Sequence, residues 1–279
     1  MTRAIHPAPS WRHTTPGRLP GPVPWLLVAL CGLIPDSLAA TQVMVDRLSL
    51  VLSVAPGEPR LGVFTIRNDA DTTVQAVIRL EDWDRAEDGT NRWYPVGTLE
   101  GTCGAALEIF PPTVTLEPGM TQAIRITFAP DISLARECWT AAIVETAAPP
   151  PSAGTGIGSL LRTATKIYVV PPGVASAGEV TSLGITRMQH QGESIPAVEV
   201  GFTNTGGLHL EGKGQVQIRT PDNTVLHTID LPVAYVLPGA RSRVRAPIPG
   251  LPAGRYLLLA IVDYGGAELA AGQTEHFVP

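Results

Sequence analysis

From Thr41 onward the chain changes hydropathy every second residue and turns every eight to twelve, and that rhythm leaves little choice of fold. Val74, Ala76, Ile78 and Leu80 alternate with polar neighbours, as do Ile124, Ile126 and Phe128. A side-chain period of two puts each such set on one face of a strand. Val43, Val45, Leu48, Leu50 and Leu52 read as a first strand, Leu61–Arg67 as a second, Val74–Leu80 as a third and Trp139–Val144 as a later one. Trp139 is expected in the core. Asp88-Gly89 is a hairpin signal, and Glu117-Pro-Gly119 has Pro and Gly where a type II turn wants them. Pro111-Pro112 separates two short segments, Leu107–Phe110 and Thr113–Leu116, because proline cannot donate to a central ladder.

The second half repeats the style, with strands expected at Val180–Arg187, Ala197–Asn204, Gly214–Arg219, Thr224–Leu231, Ser242–Ala246, Tyr256–Asp263 and Gln273–Val278. Between the halves, Ile157–Val170 reads as one long strand ending in Pro171-Pro-Gly173, a hinge. The 28 glycines and 27 prolines mark turns rather than disorder, since 44% of the chain is hydrophobic. The fold expected is all-β, two tandem immunoglobulin-like β-sandwiches over residues 41–172 and 173–279.

Residues 1–39 read as a signal peptide. Arg3, Arg12 and Arg18 precede the apolar run Val23–Ile34, and Ser37-Leu-Ala39 or Leu38-Ala-Ala40 offers small residues for cleavage. The run is broken by proline and short for a membrane anchor. Export to the periplasm is expected. Losing three arginines and Asp36 with the leader takes the net charge from −5 to −7, which disfavours nucleic acid and anionic lipid as partners. The two cysteines left, Cys103 and Cys138, are an even pair in an exported chain and point to a disulfide. A metal site would want more ligands, and a catalytic thiol a base.

No constellation for catalysis stands out. The histidines are scattered without ligand spacing, and there is no nucleophile elbow or phosphate-cradling glycine loop. Asp82, Asp84, Glu87 and Asp88 interleave with Trp83 and Arg85 and read as a solvated hairpin tip. The sequence points to a binding protein, not an enzyme, with no cofactor, metal or small-molecule substrate.

Residues 111–172 carry a resemblance. Pro111-Pro-Thr-Val-Thr-Leu-Glu-Pro-Gly119, the Ile124-Arg-Ile126 strand, a tryptophan opening the next strand, a proline-rich loop and the ending Lys166-Ile-Tyr-Val-Val-Pro171 follow in order. Together they resemble the periplasmic pilus-assembly chaperones of the PapD-like superfamily. The resemblance implies a function: lending the last strand of the first sandwich to an incomplete pilin or coat subunit, with hand-over to an outer-membrane usher. It implies that Lys166 holds the subunit's terminal carboxylate. The family's partner arginine aligns with Ser49; Arg47, two residues earlier on the same strand face, is the nearest substitute. Counting back from Lys166, the donor positions hold Thr163, Leu161, Ser159 and Ile157, so Ile157, Leu161 and Thr163 are expected to touch the partner with Lys166 and Arg47. Self-association through this sticky edge is a further expectation. The alternative is an exported structural or adhesive module of the same fold that lends no strand.

Overall fold

The computed structural model describes residues 43–54, 60–129, 134–147 and 160–279. The signal-peptide and donor-residue expectations for 1–39, Ile157 and Ser159 lie outside these residues. Within them the fold is all-β, and the only helical element is a 3-10 turn at Gly104–Ala106.

Ten strands build the first sandwich. One sheet has the order β1 (Val43–Val45), β3 (Arg60–Asn68), β8 (Thr121–Phe128), β6 (Leu107–Phe110). The facing sheet has the order β2 (Ser49–Ser53), β10 (Leu160–Val170), β9 (Cys138–Ala147), β4 (Val74–Arg85), β5 (Asn91–Tyr94), and β7 (Thr113–Leu116) shares the β4 edge with β5. Their inner faces meet in one core. Phe64, Ile66, Ile124, Ile126 and Phe128 from the first sheet pack on Ala76, Ile78, Val144, Ile167 and Val169 from the second. Each large apolar side chain fully buried there contributes roughly 1.5–3 kcal/mol. Cys103 and Cys138 form a disulfide at the edge of this core, with Cα atoms 5.6 Å apart.

The expected first strand is two strands. Val43 and Val45 sit at odd positions and Leu50 and Leu52 at even ones, so one strand could not bury both sets on one face. The chain solves the conflict by changing sheets. β1 pairs with β3, then Asp46 accepts the Thr65 amide at 2.7 Å, and β2 begins in the other sheet parallel to β10.

The second sandwich has β11 (Gly178–His190), β12 (Glu193–Asn204) and β16 (Arg241–Pro247) in one sheet. The other has the order β14 (Val225–Asp230), β13 (Leu210–Arg219), β17 (Gly254–Asp263), β18 (Ala270–Val278), with β15 (Ala234–Val236) on β13. β15, three residues long, carries too little alternation to be seen in sequence. Val198, Val200, Val216, Ile218 and Leu258 form the core.

Both sandwiches close on the same corner. Asn68 ends β3 and Asn204 ends β12, and each is almost fully buried. The Asn68 amide bonds the Thr72 and Leu116 carbonyls, and its backbone pairs with the turn Glu117-Pro-Gly-Met120. The Asn204 amide bonds the Leu208 and Val236 carbonyls, and its backbone pairs with Leu237-Pro-Gly-Ala240. Gly119 and Gly239 hold φ of 76° and 78°, which the third residue of such a turn requires.

Candidate functional site

Trp139 is buried, but not in the sandwich core. In β9, Cys138, Ala142 and Val144 face the core, whereas Trp139, Ala141 and Ile143 face outward. The apolar run of β9 is continuous because the strand is covered on both faces. Its outer cover is an aromatic cluster of Trp83, Trp139 and Tyr168 with Trp93 against it, capped by Leu237 and Ala240 of the second sandwich. Indole N–H groups lock the cluster: Trp83 donates to the Thr140 carbonyl at 3.0 Å and Trp139 to the Trp83 carbonyl at 2.7 Å.

The expected solvated tip is therefore partly interior. Trp83 and Asp82 are buried in β4, and Asp82 accepts the amides of Gly97 and Thr98 at 2.8 and 3.2 Å. The rest of the acidic group does lie at the surface: Asp84 binds Arg92, Asp88 accepts the Thr90 amide, and Glu87 pairs with Arg243 of the second sandwich at 2.8 Å. Among the described residues, no three metal-ligating side chains converge.

Glu137 joins the two sandwiches. Its carboxylate is fully buried and accepts the His209 amide at 3.2 Å and lies 2.8 Å from His209 Nδ1. The His209 ring stacks on Tyr168 with centroids 3.9 Å apart. The Glu137 amide donates to the Gly207 carbonyl at 2.8 Å, and a Cβ at Gly207 would stand 2.4 Å from Val174 Cγ1, so a larger residue there would displace that side chain.

Between these contacts and the start of β2 lies a cavity of about 490 Å3. Its walls include Trp83, Trp93, Tyr168 and Tyr235, and two cations point at it, Lys166 and Arg85. Lys166 Nζ sits over the Trp83 ring, 4.4 Å from the centroid. In register it lies beside Ala141, whose methyl leaves that path clear. Two acids on the same outer face, Glu81 and Glu145, are already held by Arg79 and Arg162. Among the described residues neither Lys166 nor Arg85 has an acidic partner. Burial, and then the Arg85 charge, push the Lys166 ammonium down to about 8 from 10.5. Burial raises the Tyr168 phenol.

The cation beside Lys166 is thus Arg85, not Arg47. Arg47 is exposed, lies 3.8 Å from Asp46 and does not line the cavity; only its carbonyl takes part nearby, accepting the Thr165 hydroxyl at 2.7 Å. Ser49, the position aligned with the family arginine, does line the cavity and is in register with Lys166. Arg85 was legible in one respect. Glu81, Trp83 and Arg85 continue the two-residue period of Arg79, which places them on one face of a long β4.

β10 has neighbours on both sides for only half its length. β9 pairs with Leu160–Val169, but β2 covers only Lys166–Val170. The Lys166 amide donates to the Leu48 carbonyl, so the backbone groups of even-numbered residues face the β2 side. Those of Ala164, Arg162 and Leu160 therefore face an edge with no strand among the described residues. Leu161 is 44% exposed and Thr163 half-buried, on the side of β10 that carries Ile167 and Val169 into the core. Structure thus brings Lys166, Leu161 and Thr163 to one strand, and leaves Arg47 aside.

No family model matches the sequence, and a comparison with curated proteins finds no match. Among solved structures the chain is similar to the class 5 fimbriae chaperone CfaA, with 15% identity, 85% of this chain and 100% of that chain covered, and a TM-score of 0.48. It is similar to a chaperone–tip adhesin complex of CFA/I fimbriae biogenesis, with 13% identity, 82% and 97% coverage and a TM-score of 0.47. A third is the CsuC–CsuE chaperone–tip adhesion subunit pre-assembly complex from archaic chaperone-usher Csu pili of Acinetobacter baumannii, with 13% identity, 84% and 98% coverage and a TM-score of 0.45.

Proposed function

We propose that this chain is a periplasmic chaperone that holds an incomplete β-sandwich subunit, of pilin or coat type, on the open edge of β10. The observation that carries the reading is the half-paired strand: among the described residues, the backbone groups of Leu160, Arg162 and Ala164 have no partner strand on one side, and that edge leads to two cations without acidic partners. Strand addition supplies backbone hydrogen bonds as generic affinity, and alternate side chains supply specificity. Leu161, half exposed at the end of its own core, enters the subunit's groove with Thr163.

A strand laid on this edge meets Leu48, which already occupies the next site of the ladder. It must end there. Its terminal carboxylate then faces Lys166 and Arg85, and charge-assisted bonds fix the register. In this role the sandwiches of 41–172 and 173–279 wall the cleft, the 1–39 leader directs export, and the held subunit passes to an outer-membrane usher.

The test is co-expression of the full chain with exported β-sandwich proteins encoded beside it, followed by affinity capture from the periplasm. Leu161→Asp and Lys166→Ala each reduce the captured subunit at least 10-fold, while circular dichroism keeps the wild-type strand signal. If both variants keep every complex intact, the chain lends no strand and serves as a plain structural module.

A further inference from the structure

A carboxylate occupies only a small part of the 490 Å3 cavity, which is large enough for a small ligand by the usual range of about 300–1,000 Å3. The remainder has a definite chemistry. The chain has five tryptophans and five tyrosines, and four of these ten side chains, Trp83, Trp93, Tyr168 and Tyr235, line this one space. Trp83 and Trp93 stand 6.3 Å apart at 38°, and Trp83 and Tyr168 meet edge to face at 6.2 Å. Both cations rest on rings, Lys166 over Trp83 and Arg85 5.2 Å over Tyr235. Leu237, from the second sandwich, closes the floor.

Resting on the strand-lending reading above, we propose that the cavity is a specificity pocket for the last side chain of the docked strand, and that this side chain is aromatic. Register places it. A partner residue opposite Ala164 shares the face of Ala164, Lys166 and Tyr168, because a one-residue slip would turn every side chain over. That face opens into the cavity. The chain end at Leu48 brings the carboxylate of this same residue to Lys166. An aliphatic side chain gains only burial there. A ring gains burial, tilted and edge-to-face contacts with the wall, and its own face toward Lys166 or Arg85. The ligand class is therefore a C-terminal phenylalanine, tyrosine or tryptophan with a free carboxylate.

The probe is a set of synthetic peptides of alternating threonine and valine that differ only in their last residue, titrated against the full chain by calorimetry. The peptide ending in phenylalanine is expected to bind about 10–100-fold tighter than the one ending in alanine, from the burial of one large side chain. It is expected to bind about 3–10-fold tighter than the one ending in leucine, from the aromatic contacts. Tyr235→Ala, at a side chain 47% exposed and so removable without opening a core, lowers the phenylalanine-to-alanine ratio several-fold. Equal affinity for phenylalanine and leucine ends, or for phenylalanine and alanine ends, overturns the pocket assignment while leaving strand lending in place. If the amidated phenylalanine peptide binds as well as the acid, or no peptide binds, the carboxylate-anchored reading fails and the pocket falls with it.

Discussion

Replacing Lys166 with methionine should make the protein more stable at neutral pH, although it removes the residue on which recognition is proposed to depend. The ammonium titrates at about 8 in the folded chain against 10.5 when unfolded. At about 1.4 kcal/mol per pKa unit, keeping it charged below pH 8 costs at most about 3.5 kcal/mol before solvent screening. Contact with Trp83 at 4.4 Å returns about 0.5–2 kcal/mol of cation–π attraction, which methionine forgoes. The half-buried site also screens part of the cost. Desolvation still wins, by roughly 1–2 kcal/mol, or about 2–8 °C in Tm for a chain of this size. The sign against pH follows from the depressed folded value. Between pH 8 and 10.5 the unfolded chain binds the extra proton, so wild-type stability rises through that window relative to the variant. Urea denaturation followed by far-ultraviolet circular dichroism at pH 7 and pH 9.5 measures both. The difference between variant and wild type should shrink by about 1–2 kcal/mol at the higher pH. A Lys166→Met protein less stable than wild type by more than about 1 kcal/mol at pH 7, or parallel profiles at the two pH values, would refute the reasoning. The same balance governs binding: a docked carboxylate restores the proton, so affinity for an acid-ended strand falls as pH rises above about 8.

Two other perturbations follow from the geometry. Replacing Cys103 and Cys138 together by serine frees a loop closed across a sequence separation of 35 residues, and should cost about 3–4 kcal/mol in urea denaturation; a wild-type protein equally stable with and without reductant would contradict this. Glu137→Ala leaves the part-buried His209 amide without its acceptor at a cost of about 1–3 kcal/mol, and it releases the junction. Limited proteolysis in the 171–177 connector should accelerate severalfold in that variant, while an unchanged rate would mean that Glu137 does not hold the sandwiches together.

Much of the fold was legible because strands buried on one face alternate, as β8, β17 and the first half of β4 do. The errors came where burial is two-sided or where phase changes. Trp139 is buried as expected, but an isolated tryptophan carries no parity, and only the pairing of β9 assigns it to the outer cluster. The Val43–Leu52 segment hides its break in a shift from odd to even apolar positions, a signal present in the sequence but small. Arg85 is hard to single out in sequence because the cavity gathers residues by face, across β4, β9 and β10, whereas distance along the chain points to Arg47. Lys166 stood out since the chain has only one other lysine, Lys213. The Glu137–His209 bond has no local signature, as its partners are 72 residues apart.

The twin asparagine corners are chemically alike but differ in what surrounds them. Around Asn68 the turn residues Glu117 and Pro118 face water, so a substitution there meets only solvent. Around Asn204 the matching Leu237 and Pro238 are buried, and Leu237 belongs to the floor beneath the aromatic rings. One corner can drift in sequence with little consequence, while the other couples any change in its turn to the shape of the cavity. Variation among partners of this chain should therefore be mirrored at positions 235–240 and not at 115–120, a division of tolerance between two copies of one device.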